Sequence, residues 1–154
     1  MKKILILIST IFLLTSCYPV KEIISKNYII NDELNFKILK YSEPTINGSF
    51  IRSNDDKYVT LKIVMTNKSS KPKDVSFDKY YIVNDKNDLK SPLWRVNRGI
   101  ELSGTVNKSV KFEGLETKNL WLHFLAPKNE QIKFLIYNGK KIELKFGKTK
   151  QSMF

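Results

Sequence analysis

Residues 58–66 give the chain's clearest period of two, with Val59, Leu61, Ile63 and Met65 on one parity and Thr60, Lys62 and Thr66 on the other. A period of two with one apolar side is the pattern of a half-buried β-strand, because successive side chains leave opposite faces of a sheet. Shorter runs of the same kind recur. Phe36 and Ile38, with Leu34, mark a first strand; Phe77 to Val83, Leu93 to Val96 and Val106 to Phe112 mark three more. Leu120, Leu122 and Phe124 share a face in a strand that Pro127 ends. Turn formers separate these runs, as in Thr45 to Asp56, Asn67 to Asp74 and Asn84-Asp85-Lys86-Asn87-Asp88. No stretch after residue 17 sustains a helical period. Many short strands between polar turns predict an all-β chain folded as an antiparallel sandwich or barrel.

Ile132 to Phe146 reads as a hairpin around Asn138-Gly139. A two-residue loop would set Ile132, Phe134 and Ile136 against Lys145, Glu143 and Lys141, mixing core with charge. A three-residue loop, Tyr137 to Gly139, sets Phe134 against Ile142 and Ile132 against Leu144. The apolar pattern favours the three-residue loop.

The amino terminus is of another kind. Lys2 and Lys3 precede an apolar run from Ile4 to Leu14, followed by Thr15, Ser16 and the chain's one cysteine, Cys17. The run is shorter than the about 20 residues a membrane-spanning helix needs, and it fits an export signal. Leu14-Thr15-Ser16-Cys17 resembles the bacterial lipobox. That resemblance implies a diacylglyceryl thioether on Cys17, cleavage between Ser16 and Cys17, and acylation of the new terminus by a fatty acid such as palmitate. Two or three acyl chains anchor a protein stably on a bilayer. The expected organisation is a signal peptide over 1–16, a lipidated tether over 17–31 and a β-sandwich domain over 32–154. Ile23, Ile24, Ile29 and Ile30 are unusually apolar for a free linker, which implies some pairing or a short helix within that tether. Tyr18, rather than Asp, follows the cysteine, as in outer-membrane sorting where a bacterium has two membranes. Otherwise the address is the outer face of the cell membrane.

The chain of 154 residues carries a formal charge of +12. Lys outnumbers Arg 24 to 3, whereas nucleic-acid recognition favours the Arg fork, so nucleic acid is excluded as a partner. A basic cluster near the carboxyl end (Lys140, Lys141, Lys145, Lys148 and Lys150) is a candidate contact for an anionic surface or polymer. Trp94, Arg95 and Arg98 form a candidate contact for a protein partner, since Trp, Tyr and Arg dominate interface hot spots.

From Val59 on, the chain resembles the immunoglobulin-like domain of unknown function found in bacterial lipoproteins and secreted "immunoprotective extracellular" proteins. The residues that carry the resemblance are Val64-Met65-Thr66-Asn67-Lys68-Ser69, Phe77 to Asp85, Leu115 to Pro127 with Leu122 and Phe124, and Ile132 to Tyr137. Glu116-Thr117 stand where the family usually has Pro-Gly. The resemblance implies an immunoglobulin-like β-sandwich with an extracytoplasmic binding or structural role and no catalytic residues.

Chemistry for an enzyme is sparse. A single Cys and a single His exclude intrachain disulfides and His-pair metal sites, and neither metal nor cofactor is expected. His123 lies on the parity of Trp121 and Leu125, as a strand histidine facing solvent or the sheet edge. No Gly-x-Ser-x-Gly elbow accompanies it. Asp85 to Asp88 lack the Gly and distal Glu of a calcium loop. The expected function is therefore a membrane-anchored, non-catalytic binding module. Its partners would be the lipid bilayer, through acylated Cys17, and an envelope protein or anionic polymer. The alternative is an inhibitor or immunity lipoprotein that neutralises an acidic enzyme.

Overall fold

The alternating run at 58–66 lies within the longest described strand, Asp56–Asn67. The computed structural model describes residues 18–44, 55–97 and 108–152. The leader with Cys17, Arg98 and Val106 lie outside the described residues. The described strands are β1 (Tyr18–Ile23), β2 (Tyr28–Asn31), β3 (Leu34–Ser42), β4 (Asp56–Asn67), β5 (Lys73–Ser76) and β6 (Tyr80–Asn84). They continue with β7 (Lys90–Asn97), β8 (Ser109–Phe112), β9 (Thr117–Pro127), β10 (Ile132–Tyr137), β11 (Lys140–Glu143) and β12 (Phe146–Ser152). Among the described residues no segment is helical.

The order β11-β10-β6-β7-β9-β4-β3-β1-β12 runs through one curled antiparallel sheet, with β2 on β3 and a separate β5-β8 ribbon. The strands β3-β4-β9-β7 make one layer and β6-β10-β11 the other. The β6–β7 pairing carries the sheet from layer to layer. Taken in chain order, β3, β4, β6, β7, β9, β10 and β11 occupy the A to G positions of a constant-type immunoglobulin sandwich, A-B-E-D facing C-F-G. β1 and β12 extend the first layer past its A strand.

The core lies between the layers, where the period of two places it. Val59, Leu61, Ile63 and Met65 of β4 pack beside Leu120, Leu122 and Phe124 of β9, all fully buried. Each such side chain contributes about 1.5–3 kcal/mol through its removal from water. Phe36 of β3 reaches across to Tyr137 of β10 at 4.9 Å between ring centres and to Tyr80 of β6 at 6.4 Å. Tyr80 points inward and its neighbour Tyr81 outward, where Lys90 Nζ sits 4.1 Å from the Tyr81 ring centre.

Two buried asparagines close the turns that the sequence marked. Asn67 donates from Nδ2 to the Lys71 and Glu113 carbonyls and accepts the Ser69 N–H. Asn84 accepts the Asp88 and Leu89 N–H groups and donates to the Glu130 carboxylate. The acidic run at 85–88 thus organises a turn. Among the described residues no cluster of metal-ligating side chains forms.

Two expectations are corrected. The hairpin has the two-residue loop, pairing Phe134 with Glu143, Leu135 with Ile142 and Tyr137 with Lys140. Asn138 and Gly139 both take positive φ (45° and 79°), the requirement of a type I′ turn. The register is possible because a bulge between Ile132 and Phe134 switches parity. Ile132, Leu135 and Tyr137 face the core, while Phe134 is turned outward under Lys141 Nζ at 3.9 Å. The second correction concerns 17–31. The pairing that its isoleucines implied takes up most of this segment, in β1 and β2, with only 24–27 of its described residues outside a strand. β1 pairs with β3 on one side (Val20–Ser42, Lys21–Tyr41) and with β12 on the other (Tyr18–Ser152). Val20 and Ile23 bury their side chains there, and Tyr28 of β2 stacks on Phe36 at 5.4 Å. Apolar burial holds the segment down.

Candidate functional site

The outer face of the β4-β9-β7 layer carries Trp94, Arg95 and His123. In β7 the register skips a residue, so that Leu93 opposes Phe124 and Arg95 opposes His123. Trp94 is the extra residue of this bulge. A bulge re-aims side chains, and here it puts Trp94 and Arg95 on the same outer face. The Trp94 ring stands edge-on to Tyr58 of β4 at 5.3 Å. Tyr58 in turn lies 6.3 Å from His123 of β9. Two residues along on the same face, Trp121 carries Lys62 Nζ at 5.0 Å from its ring centre. β4 contributes Tyr58, Thr60 and Lys62 simply because it alternates, and pairing of Thr60 with His123 and Lys62 with Trp121 completes the patch.

His123 is not at a sheet edge, because β9 is flanked by β4 and β7; it lies on the outer face, half-buried beside the Tyr58 ring. Its Nδ1 lies 3.0 Å from Thr60 Oγ1, and its buried Nε2 has no hydrogen-bond partner. Burial, helped by the positive charge of Arg95, lowers its pKa to about 4, so the ring is neutral at pH 7. Burial likewise raises the Tyr58 phenol to about 12, partly opposed by Arg95. Asn97, beside Trp121 in the register, also leaves its Oδ1 buried without a partner. A neutral imidazole held by a threonine lacks the orienting carboxylate of a hydrolase triad. Half-buried Trp94 and Trp121 with the Arg95 guanidinium are residue types suited to the recognition of another surface.

Of the three residues marked for a protein partner, the structure brings Trp94 and Arg95 together, while Arg98 lies outside the described residues. The basic cluster is divided between the two strands at opposite ends of the sheet order, β11 and β12. Lys140 and Lys141 are on β11, Lys145 is in the link, and Lys148 and Lys150 are on β12. Lys141 Nζ donates to Asn87 Oδ1 at 2.7 Å, and Lys150 forms an ion pair with Glu22 at 2.7 Å. Hydrogen bonding and the charge of Lys150, with Lys40 and Lys148 nearby, hold the Glu22 carboxyl below its usual range. Tyr58, Thr60, Lys62 and Asn97 were not singled out from the sequence. Alternation assigns Thr60 and Lys62 to a polar face, but nothing in the sequence shows that β9 and β7 lie next to it.

No described protein family matches the sequence, and no curated protein matches it. Solved structures do resemble it. A conserved hypothetical protein from Bacillus anthracis aligns with a TM-score of 0.57 at 12% identity, over 83% of this chain and 98% of that one. The two share a fold. A protein of unknown function from Listeria monocytogenes reaches a TM-score of 0.49 at 17% identity, over 71% of this chain; the match spans only 64% of that longer protein. A Bacillus subtilis protein described as a candidate lipoprotein gives a TM-score of 0.45 at 14% identity, over 84% of this chain and 38% of that one.

Proposed function

We propose that this protein is a bacterial envelope lipoprotein, acylated on Cys17, whose immunoglobulin-like sandwich binds another envelope component without catalysis. The observation that carries the reading is the position of the lone cysteine. Cys17 ends a leader-like apolar run and immediately precedes β1, so cleavage before it would leave the folded sandwich whole. The bulge face around Trp94, Arg95, Tyr58 and His123 is the proposed contact. Intact mass of the envelope-extracted protein tests the anchor. The expected mass begins at Cys17 and carries a diacylglyceryl group and acyl chain, and Cys17→Ala releases the protein from the membrane. A full-length chain with an unmodified thiol sinks the proposal.

The net charge of +12 favours one second reading, an inhibitor or immunity protein for an acidic enzyme. Affinity capture from solubilised envelopes with wild type and Trp94→Ala separates the two. A captured hydrolase that loses activity selects the inhibitor; a structural protein or polymer selects the module.

A further inference from the structure

At one end of the sandwich the inward-facing positions change from apolar to charged. Along β4 the buried series Met65, Ile63, Leu61, Val59 ends in Lys57, and along β3 the inward Tyr41 is followed by Glu43. The layers part here into a cleft of about 280 Å³, walled by Lys21, Tyr41, Phe146 and Lys57 and by the β9–β10 turn with Lys128 and Gln131. Its size is near the lower limit of ligand pockets, about 300 Å³. The floor is aromatic, with Tyr41 and Phe146 edge to face at 5.1 Å.

Two carboxylates also stand on the wall. Glu43 accepts the Tyr41 hydroxyl and pairs with Lys57 at 2.8 Å, and Glu130 accepts Asn84 Nδ2 at 2.7 Å. Lys21 lies over the rings, 4.9 Å from the Phe146 centre. Among the described residues neither Lys21 nor Lys128 has an ion-pair partner. The cleft therefore sets three lysines against two carboxylates, and it offers this surplus positive charge and amide donors to an anion; lysine is a point-charge binder of phosphate.

Position narrows the source. Lys21 is four residues after Cys17, and strand rises about 3.3 Å per residue, so the cleft mouth lies within about 13 Å of the anchor. With β1 paired on both sides, no spacer separates the two. We propose that this cleft binds the phosphodiester headgroup of an anionic phospholipid, seating the sandwich end-on against the bilayer. The membrane placement rests on the lipid-anchor reading; the anion site does not.

The test titrates the purified full chain with glycerophosphoglycerol, the deacylated headgroup of phosphatidylglycerol, and in parallel with inorganic phosphate, following amide shifts at residues 128–131. The expected result is saturable binding of the diester, tighter than that of inorganic phosphate. Lys21→Gln with Lys128→Gln should weaken it about tenfold, as loss of charge-assisted contacts does. Lys68→Gln with Lys71→Gln removes the same charge from exposed positions just past Asn67, at the opposite end of β4 from Lys57, and should leave binding unchanged. No saturable binding, equal weakening by both pairs, or inorganic phosphate binding as tightly as the diester would each overturn the proposal. The mass at Cys17 is read separately, so failure of the cleft and failure of the anchor are distinct results.

Discussion

The two ends of the sandwich are finished in opposite ways. At one end five rings, Tyr28, Phe36, Phe77, Tyr80 and Tyr137, form a continuous cluster, with centre separations from 4.9 Å (Phe77–Tyr80) to 6.4 Å (Tyr28–Tyr137). At the other end the core stops at Tyr41 and Phe146 and gives way to Lys21, Glu43 and Lys57 around an open cleft. β3 runs through both ends, from Phe36 to Tyr41, but β2 and β6 complete the aromatic end whereas β1, β12 and the β9–β10 turn complete the cleft. Aromatic closure buries apolar area and stabilises. A charged mouth contributes little stability but keeps donors accessible, and that is where a ligand site can be afforded.

Phe36→Ala is the most severe test of this contrast. It removes a buried ring that touches three others, and should lower unfolding free energy by about 3–5 kcal/mol in denaturant titration. A cost under about 1 kcal/mol would mean the aromatic end does not hold the layers together.

Between the ends, His123 reports on the layer that both share. In the folded chain it stays neutral down to about pH 4, whereas unfolded it takes a proton near pH 6.5. Within that window the unfolded state binds the extra proton. Stability should be full above about pH 6.5 and fall by up to about 3 kcal/mol as pH drops toward 4. His123→Gln should flatten this dependence in chemical denaturation measured across pH, and a slope that survives the substitution would assign it to other groups.

Smaller effects sharpen the comparison. The Tyr80 hydroxyl is buried at the aromatic end without a partner, and burial raises its pKa. Tyr80→Phe should therefore stabilise by about 1 kcal/mol, read as a raised Tm. A loss instead would show that the hydroxyl has a bond in solution. At the charged end, Lys57→Ala breaks the pair with Glu43 and should cost about 1 kcal/mol or less, a cost that shrinks with added salt. If Lys57→Ala cost as much as Phe36→Ala, the division into a stabilising end and a recognising end would fail.

Much of the fold was legible because alternation is a local property. Val59 to Met65 and Leu120 to Phe124 declared their buried faces, and the adjacent Tyr80 and Tyr81 had to point oppositely. The hairpin at Asn138-Gly139 was misjudged because a bulge at Ile132–Phe134 changes parity, and a bulge depends on the strand alongside. The segment at 17–31 was read as tether because Val20, Ile23 and Tyr28 find their partners only on β3 and β12. Trp94 and Arg95 were legible as residue types, but their meeting with Tyr58 and His123 needed the bulge of β7 against β9.

The amino-acid sequence alone settled the all-β character, the identity of the core strands and the singularity of Cys17, since each follows from residue type or from spacing along one segment. Tertiary structure decided which strands are neighbours, that β1 joins the sheet between β3 and β12, and that lysines from β1, β4 and the β9–β10 turn converge on one cleft. Those outcomes depend on pairing between residues far apart in the chain, and no local period encodes such distances.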